Sequence, residues 1–206
     1  MDTVFYELRP AGLRTHAYAW CDLSFQDFVR IPCPVCGRNI VTVQRETPPY
    51  NLLLEGGNTC TDLIAFTGAG GPLFVLSEKA LLAFQADGIQ GIGSVMPVNA
   101  KWSDGDKRKN RSKIPPYYQV EVTGRIDFDL KAMFLKKKRL CPSCGQFDWN
   151  RERLYPVFLD ASCHDGSDLC RVTSLPGRII CTQKILSSVK KHKLKGFQLS
   201  VQTTAP

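Results

Sequence analysis

Two short stretches of the chain share one hydrophobic pattern. Phe74-Val75-Leu76 and Ile179-Ile180-Cys181 are unbroken apolar triplets, each followed by a hydroxyl residue, Ser77 or Thr182, at the position of a helix N-cap. Apolar residues then fall at 80, 81 and 84, and at 185, 186 and 189, which is helical spacing. Gly91 and Gly196 end both patterns and precede further apolar residues, so each stretch predicts a strand, a capped helix of about ten residues and a return strand. Strand-like composition, rich in β-branched and aromatic residues, also marks 3–8, 40–43, 117–122 and 154–159.

The likeness extends further at a nearly constant offset. Cys33-Pro34-Val35-Cys36-Gly37 returns as Cys141-Pro142-Ser143-Cys144-Gly145, 108 positions on. Asp62-Leu63 returns as Asp168-Leu169, 106 on, and the strand–helix pattern returns 105 on. Landmarks in one order at one offset predict an internal duplication. The expected fold class is α+β, with two similar strand–helix–strand halves in one pseudo-duplicated domain spanning 1–206. Half 1 covers about 1–100 and half 2 about 117–206. Between them, 101–116 is a connector in which 101–113 hold six basic and two acidic residues without apolar periodicity, ending at Pro115-Pro116.

The repeated Cys-Pro-x-Cys-Gly element carries the chemistry. Two intervening residues let both thiolates face one ion, and the glycine accepts the positive-φ turn that aims amides at sulfur. Two such knuckles supply four thiolates, the closed tetrahedral shell of a structural zinc site. Cys33, Cys36, Cys141 and Cys144 are thus expected to hold one Zn²⁺, which would clamp the two halves because the knuckles lie so far apart in sequence. A redox-active dithiol at either knuckle, or two separate metal sites each completed by another Cys or His, are the competing assignments. Cys21, Cys60, Cys163, Cys170 and Cys181 have no metal spacing and are expected to be small core residues. Cys163-His164-Asp165 invites a nucleophile–base assignment that adjacency along the chain argues against, while His16 and His192 are expected at the surface. Gly68-Ala69-Gly70-Gly71 lacks a following Lys-Ser/Thr and is expected to be a turn, not a phosphate loop.

The chain has 206 residues, 27 basic against 19 acidic, for a formal charge of +8. Nine cysteines, an odd number, argue against a fully paired disulfide framework. No apolar run approaches the length of a membrane span, and residues 1–10 lack a signal-peptide pattern, so a soluble cytoplasmic protein without membrane partners is expected. Basic runs at 101–113, 136–139 and 190–195, with Trp102, Tyr117, Tyr118 and Trp149 nearby, make nucleic acid a possible partner, a solvated basic face being the plainer expectation.

The paired knuckles, the opening Val4-Phe5-Tyr6-Glu7-Leu8, the segment from Leu159-Asp160 through Asp165-Gly166-Ser167-Asp168-Leu169-Cys170-Arg171-Val172, and the ending Leu194-Lys195-Gly196-Phe197 together resemble the double-CxxCG-motif family. That family is similar to the SitI-type immunity proteins of bacterial polymorphic toxin systems. The resemblance covers nearly the full length, and the paired knuckle is its most specific element. It implies a non-enzymatic protein that stays in the producing cell and neutralises a cognate toxin by binding it, with the metal-ligand role falling on Cys33, Cys36, Cys141 and Cys144.

Overall fold

A computed structural model describes residues 3–11, 16–21, 28–37, 39–43, 50–66, 74–103, 110–129, 132, 141, 143, 158–174 and 178–204. The strands are β1 (Phe5–Pro10), β2 (Tyr18–Cys21), β3 (Phe28–Pro32), β4 (Asn39–Val43), β5 (Tyr50–Glu55), β6 (Leu63–Phe66) and β7 (Phe74–Ser77), then, after helix α1 (Glu78–Ala86), β8 (Ile92–Trp102), β9 (Tyr117–Val122) and β10 (Gly124–Phe128). There follow β11 (Phe158–Asp160), a 3-10 turn (Ala161–Cys163), β12 (Leu169–Val172), β13 (Ile179–Thr182), helix α2 (Gln183–Lys191) and β14 (Phe197–Thr204).

These elements correct the α+β expectation. Among the described residues the protein is mostly β: the two helices have nine residues each, and the strands close into two six-stranded rings beside the separate β3–β4 hairpin. Both strand–helix–strand stretches exist, and the strands expected at 3–8, 40–43 and 117–122 are found at 5–10, 39–43 and 117–122. Of 154–159, only 158–159 lie within the described residues, in β11. The pattern marked both helices and, in whole or part, β1, β7, β8, β9, β11, β13 and β14, but not β2, β5, β6, β10 and β12 of the rings. β8, the return strand after Gly91, alternates half-buried and exposed residues from Met96 to Trp102, with Val98, Ala100 and Trp102 against the ring interior, and bulges between Ile92 and Val95.

The first ring runs β9-β7-β6-β2-β5-β8 and the second β1-β13-β12-β10-β11-β14. Taken in that order, the pairings in each are antiparallel, antiparallel, parallel, antiparallel, parallel and, on closing, antiparallel. The rings are topological copies. Their registers match as well, since Ser77 faces Tyr117 where Thr182 faces Phe5, and Phe74 faces Val120 where Ile179 faces Leu8. It follows that β1 and β9 are equivalent, yet each lies in the ring built from the other half. β1 precedes the strands of half 1 and closes ring two, whereas β9 precedes those of half 2 and closes ring one. The halves are not clamped side by side; they exchange their first strands.

Packing follows from this exchange. Each ring has its own interior, Ala17, Leu52, Leu54, Ile64, Val75 and Tyr117 in one and Phe5, Ile126, Phe128, Leu159, Val172 and Ile180 among those in the other. Between them lies a shared core that takes Leu8, Phe74, Leu76 and Phe84 together with Leu169, Ile179, Ile185 and Val189. The central strands β7 and β13 are therefore buried on both faces, with Val75 and Ile180 pointing into the rings and their neighbours into the shared core. Unbroken apolar triplets result. Burial at this density is the main favourable term of the fold.

Polar contacts repeat across the exchange. Ser77 Oγ donates to Asp62 Oδ1 at 2.7 Å, and Thr182 Oγ1 donates to Asp168 Oδ1 at 2.8 Å. The other oxygen of each aspartate accepts a backbone amide from the opposite half, Lys195 N at 2.7 Å for Asp62 and Gln90 N at 3.0 Å for Asp168. Burial pushes the Asp168 carboxyl up, but hydrogen bonds from Gln90 and Thr182 and the Lys184 ammonium outweigh it and hold its pKa below the usual carboxylate value. Gly91 and Gly196, with φ of 95° and 87°, pass against these same turns; a Cβ on Gly91 would lie 2.1 Å from Leu169 O. Ser77 also caps α1 by accepting from Ala80 N at 3.2 Å, whereas the Thr182 side chain makes no such cap on α2. On β1 the buried Glu7 is held between Arg9 at 2.7 Å and Arg178, from the start of β13, at 3.5 Å.

The helices meet at their C-terminal ends. Asp87, which ends α1, accepts from Lys191 Nζ and lies 3.0 Å from His192 Nε2 at the end of α2, so His192 has a partner where a lone surface histidine was expected. The hydrogen bond from Lys191 above all holds the Asp87 carboxyl down to about 2. A carboxylate with a depressed folded-state pKa stabilises the fold above its unfolded value of about 4, and that contribution fades as pH falls toward 2. Asp87→Asn is expected to lower the melting temperature at pH 7 and to flatten the loss of stability between pH 4 and 2. Thermal melts of both forms across that range check this.

Candidate metal centre

The first knuckle is the turn of the β3–β4 hairpin. Pro32 pairs with Asn39, and between them Cys33 O accepts from Gly37 N at 2.8 Å, while Gly37 takes φ 68° in open space. A residue with a Cβ would be strained there by its backbone alone. This turn directs amides onto sulfur. The backbone N–H groups of Cys36 and then Val35 point to Cys33, and they, with the Ser143 and Cys36 side chains, outweigh burial and bring its thiol down from 9.0 to about 6.

Cys141 arrives from the other half. Its Sγ lies 3.6 Å from Cys33 Sγ, across 108 residues of chain, and both are buried, at 9% and 2% exposure. Sulfurs at about 2.3 Å from a tetrahedral ion stand about 3.8 Å apart, so the observed separation is compatible with two ligands to one metal. Cys36, exposed at the rim, completes a group of three thiols whose sulfur atoms lie within 4.8 Å of one another. Ser143 of the second knuckle contributes its hydroxyl to Cys33. The donor set is compatible with a thiophilic metal. Of the four expected ligands, the structure therefore brings Cys33, Cys36 and Cys141 together, and Cys144 lies outside the described residues.

The topology explains the convergence. The first knuckle lies between β2 and β5, and the second lies between β10 and β11, which occupy the same two positions in the other ring. Equivalent excursions from two exchanged rings meet at one cluster.

Other sequence-marked residues go elsewhere. Cys163 Sγ donates to Asp160 Oδ2 at 3.2 Å, and that contact, followed by burial, raises its pKa, which is the reverse of nucleophile activation. His164 Nε2 and Asp165 have separate partners, Ser167 O at 2.8 Å for the ring and the amides of Arg125 and Ser167 for the carboxylate. Cys170 and Cys181 are buried, with burial pushing both thiols up, as expected of core cysteines. Cys163 is exposed, and Cys60 is half-buried. His16 is half-buried and bridges to Thr59. Tyr117 is 1% exposed, and its hydroxyl donates to Thr61 O at 2.7 Å, so it is not a surface for stacking bases. Arg111 lies over the Trp102 ring at 5.0 Å. Trp149, the 136–139 basic run and the 68–71 glycines lie outside the described residues. Among the described residues no helix is long and apolar enough to cross a membrane.

Compared with known proteins, the chain matches no protein-family model and none of the curated proteins.

Cys141→Ser is expected to remove at least about tenfold of the metal affinity and to destabilise both halves together, because the thiol serves a site shared between them. Metal content by mass spectrometry, with thermal melts before and after chelation, checks both effects. Cys163→Ser serves as the control that leaves them unchanged.

Proposed function

We propose that the chain is an immunity-type inhibitor that binds and neutralises a cognate toxin domain in the cytoplasm of the cell that makes both, on a scaffold closed by one structural Zn²⁺ held by Cys33, Cys36, Cys141 and Cys144. The observation that carries this reading is the meeting of the two knuckles, Cys33 and Cys141 at 3.6 Å, since the paired knuckle is the most specific element of the resemblance. Four thiolates fill the coordination shell of zinc and leave no position for substrate or water. That metal supplies structure and no catalysis. A third thiol beside Cys33 and Cys36 also favours a metal over a redox-active pair, which needs only two.

With the metal in that role, function lies on the surface. Several of the described basic side chains are paired with carboxylates, and others are exposed near α2. Lys184 and Lys191 pair with Asp168 and Asp87, and Arg9 and Arg178 with Glu7. Lys190, Lys193 and Lys195 stand exposed along one end of α2 and the turn after it. These form the core of the proposed contact surface for an acidic face of the toxin. An inhibitory interface would bury on the order of 1,600 Å² and gain its speed from charge steering.

The test is growth of cells expressing the toxin domain encoded beside this gene, with and without this chain. Rescue with a co-purifying complex is the expected result, and Lys190→Glu/Lys193→Glu/Lys195→Glu should slow association at least about tenfold at low salt. Failure to rescue by folded, abundant protein overturns the proposal. Salt-sensitive binding to unrelated DNA or RNA in that case moves the function to nucleic acid.

A further inference from the structure

A second group of metal-ligand residues lies in ring two, away from the knuckles. His164, Asp165 and Cys170 each place a ligand atom within 4.8 Å of the others. Cys170 comes from β12 and is buried with the ring interior, whereas His164 and Asp165 come from the loop that leads into that strand. The loop is held in shape. Asp165 accepts from Arg125 N at 2.8 Å and from Ser167 N at 3.0 Å, and the His164 ring packs edge-on against Phe5, centroids 4.9 Å apart.

One carbonyl gathers the cluster. Ser167 O lies 2.8 Å from His164 Nε2 and accepts from Cys170 Sγ at 3.3 Å. A carbonyl only accepts, so Nε2 carries a proton here, and a neutral ring then has its lone pair on Nδ1. A metal-binding histidine commonly has this arrangement, with its other N–H anchored on a backbone carbonyl. Asp165 has accepted two hydrogen bonds, and a carboxylate has about four lone-pair sites, so it retains capacity for a cation.

The exchanged repeat supplies an internal comparison. Residues that the fold needs recur in both halves at their equivalent positions: Asp62 with Asp168, Ser77 with Thr182, Gly91 with Gly196. By the same offset of 106, His164, Asp165 and Cys170 correspond to Asn58, Thr59 and Ile64. A ring of the same topology closes with none of the three ligand types at these positions. The fold does not demand them.

We propose that His164, Asp165 and Cys170 form a second metal site, for a borderline divalent cation such as Zn²⁺, with one nitrogen, one oxygen and one sulfur donor. Zinc at about 2.0–2.3 Å from such donors sets them roughly 3.3–3.8 Å apart, so small side-chain movements close the group. On binding, the Cys170 thiol releases its proton to solvent and its hydrogen bond to Ser167 O is replaced by a bond to the ion. The fourth coordination position falls to water on the side of the exposed Asp165.

The test uses the full chain, stripped of metal and titrated with Co²⁺, followed by absorption and native mass spectrometry. Two equivalents are expected. The first gives the intense thiolate charge-transfer bands of the knuckle cluster, and the second gives a weaker band from a single thiolate. His164→Gln is expected to weaken the second equivalent at least about tenfold while the first, which reports on folding, keeps its spectrum. Cys170→Ser is expected to abolish the weaker charge-transfer band. Binding of a single equivalent by the unmodified chain overturns the proposal, and so does a second equivalent that His164→Gln leaves unchanged or a weaker band that survives Cys170→Ser.

Discussion

Each six-stranded ring is closed by a strand that belongs to the other half, and the rest of the structure depends on that exchange. A ring lacking its closing strand exposes two rows of unpaired backbone groups and opens its apolar interior to water. Either defect disfavours a half standing alone. The shared core then fills the space between the rings with residues from both halves, and the aspartate pair, Asp62 and Asp168, fixes the turns by reaching across to amides of the opposite half. Two chemically ordinary devices, apolar burial and carboxylate–amide hydrogen bonding, are each used twice in equivalent places.

The cysteine cluster follows from the same geometry. Knuckles at equivalent positions in two exchanged rings reach one place, with Cys33 and Cys141 buried against each other while Cys36 stays at the rim. In this arrangement a metal adds a cross-link to halves that are already interleaved. Its contribution to stability is then coupled to the whole molecule and not to a local finger. Interleaved halves with such a tie would suit the fixed surface that the proposed inhibitor needs.

Much of this was legible in the chain. The repeated apolar triplets, the helical spacing after Ser77 and Thr182 and the first knuckle all correspond to real elements, because each is a local pattern whose period or spacing reflects its own structure. The β-rich architecture was less visible. β2, β5, β6, β10 and β12 were not marked by the pattern, and β10 and β12 gain their strand character from pairing partners far away in sequence. The exchange left a trace that the offset concealed. Phe5-Tyr6-Glu7-Leu8 and Tyr117-Tyr118-Gln119-Val120 share an aromatic, aromatic, polar, aliphatic order, but at a shift of 112, where the later landmarks repeat at 105 to 108. The grouping of His164, Asp165 and Cys170 had no spacing signature. It arises because the loop before β12 turns back over the ring, guided by Ser167 O.

The most direct test of the exchange is to replace residues 104–109 with a specific protease site, cleave the folded protein there, remove metal with a chelator and measure its mass in native buffer. Strands β1 and β9 each remain in the opposite ring after the cut, so the two pieces are predicted to stay together as one species until denaturant is added. Separation of the pieces in native buffer on chelation would contradict the account, because it would mean that the metal, and not the exchanged strands, holds the halves.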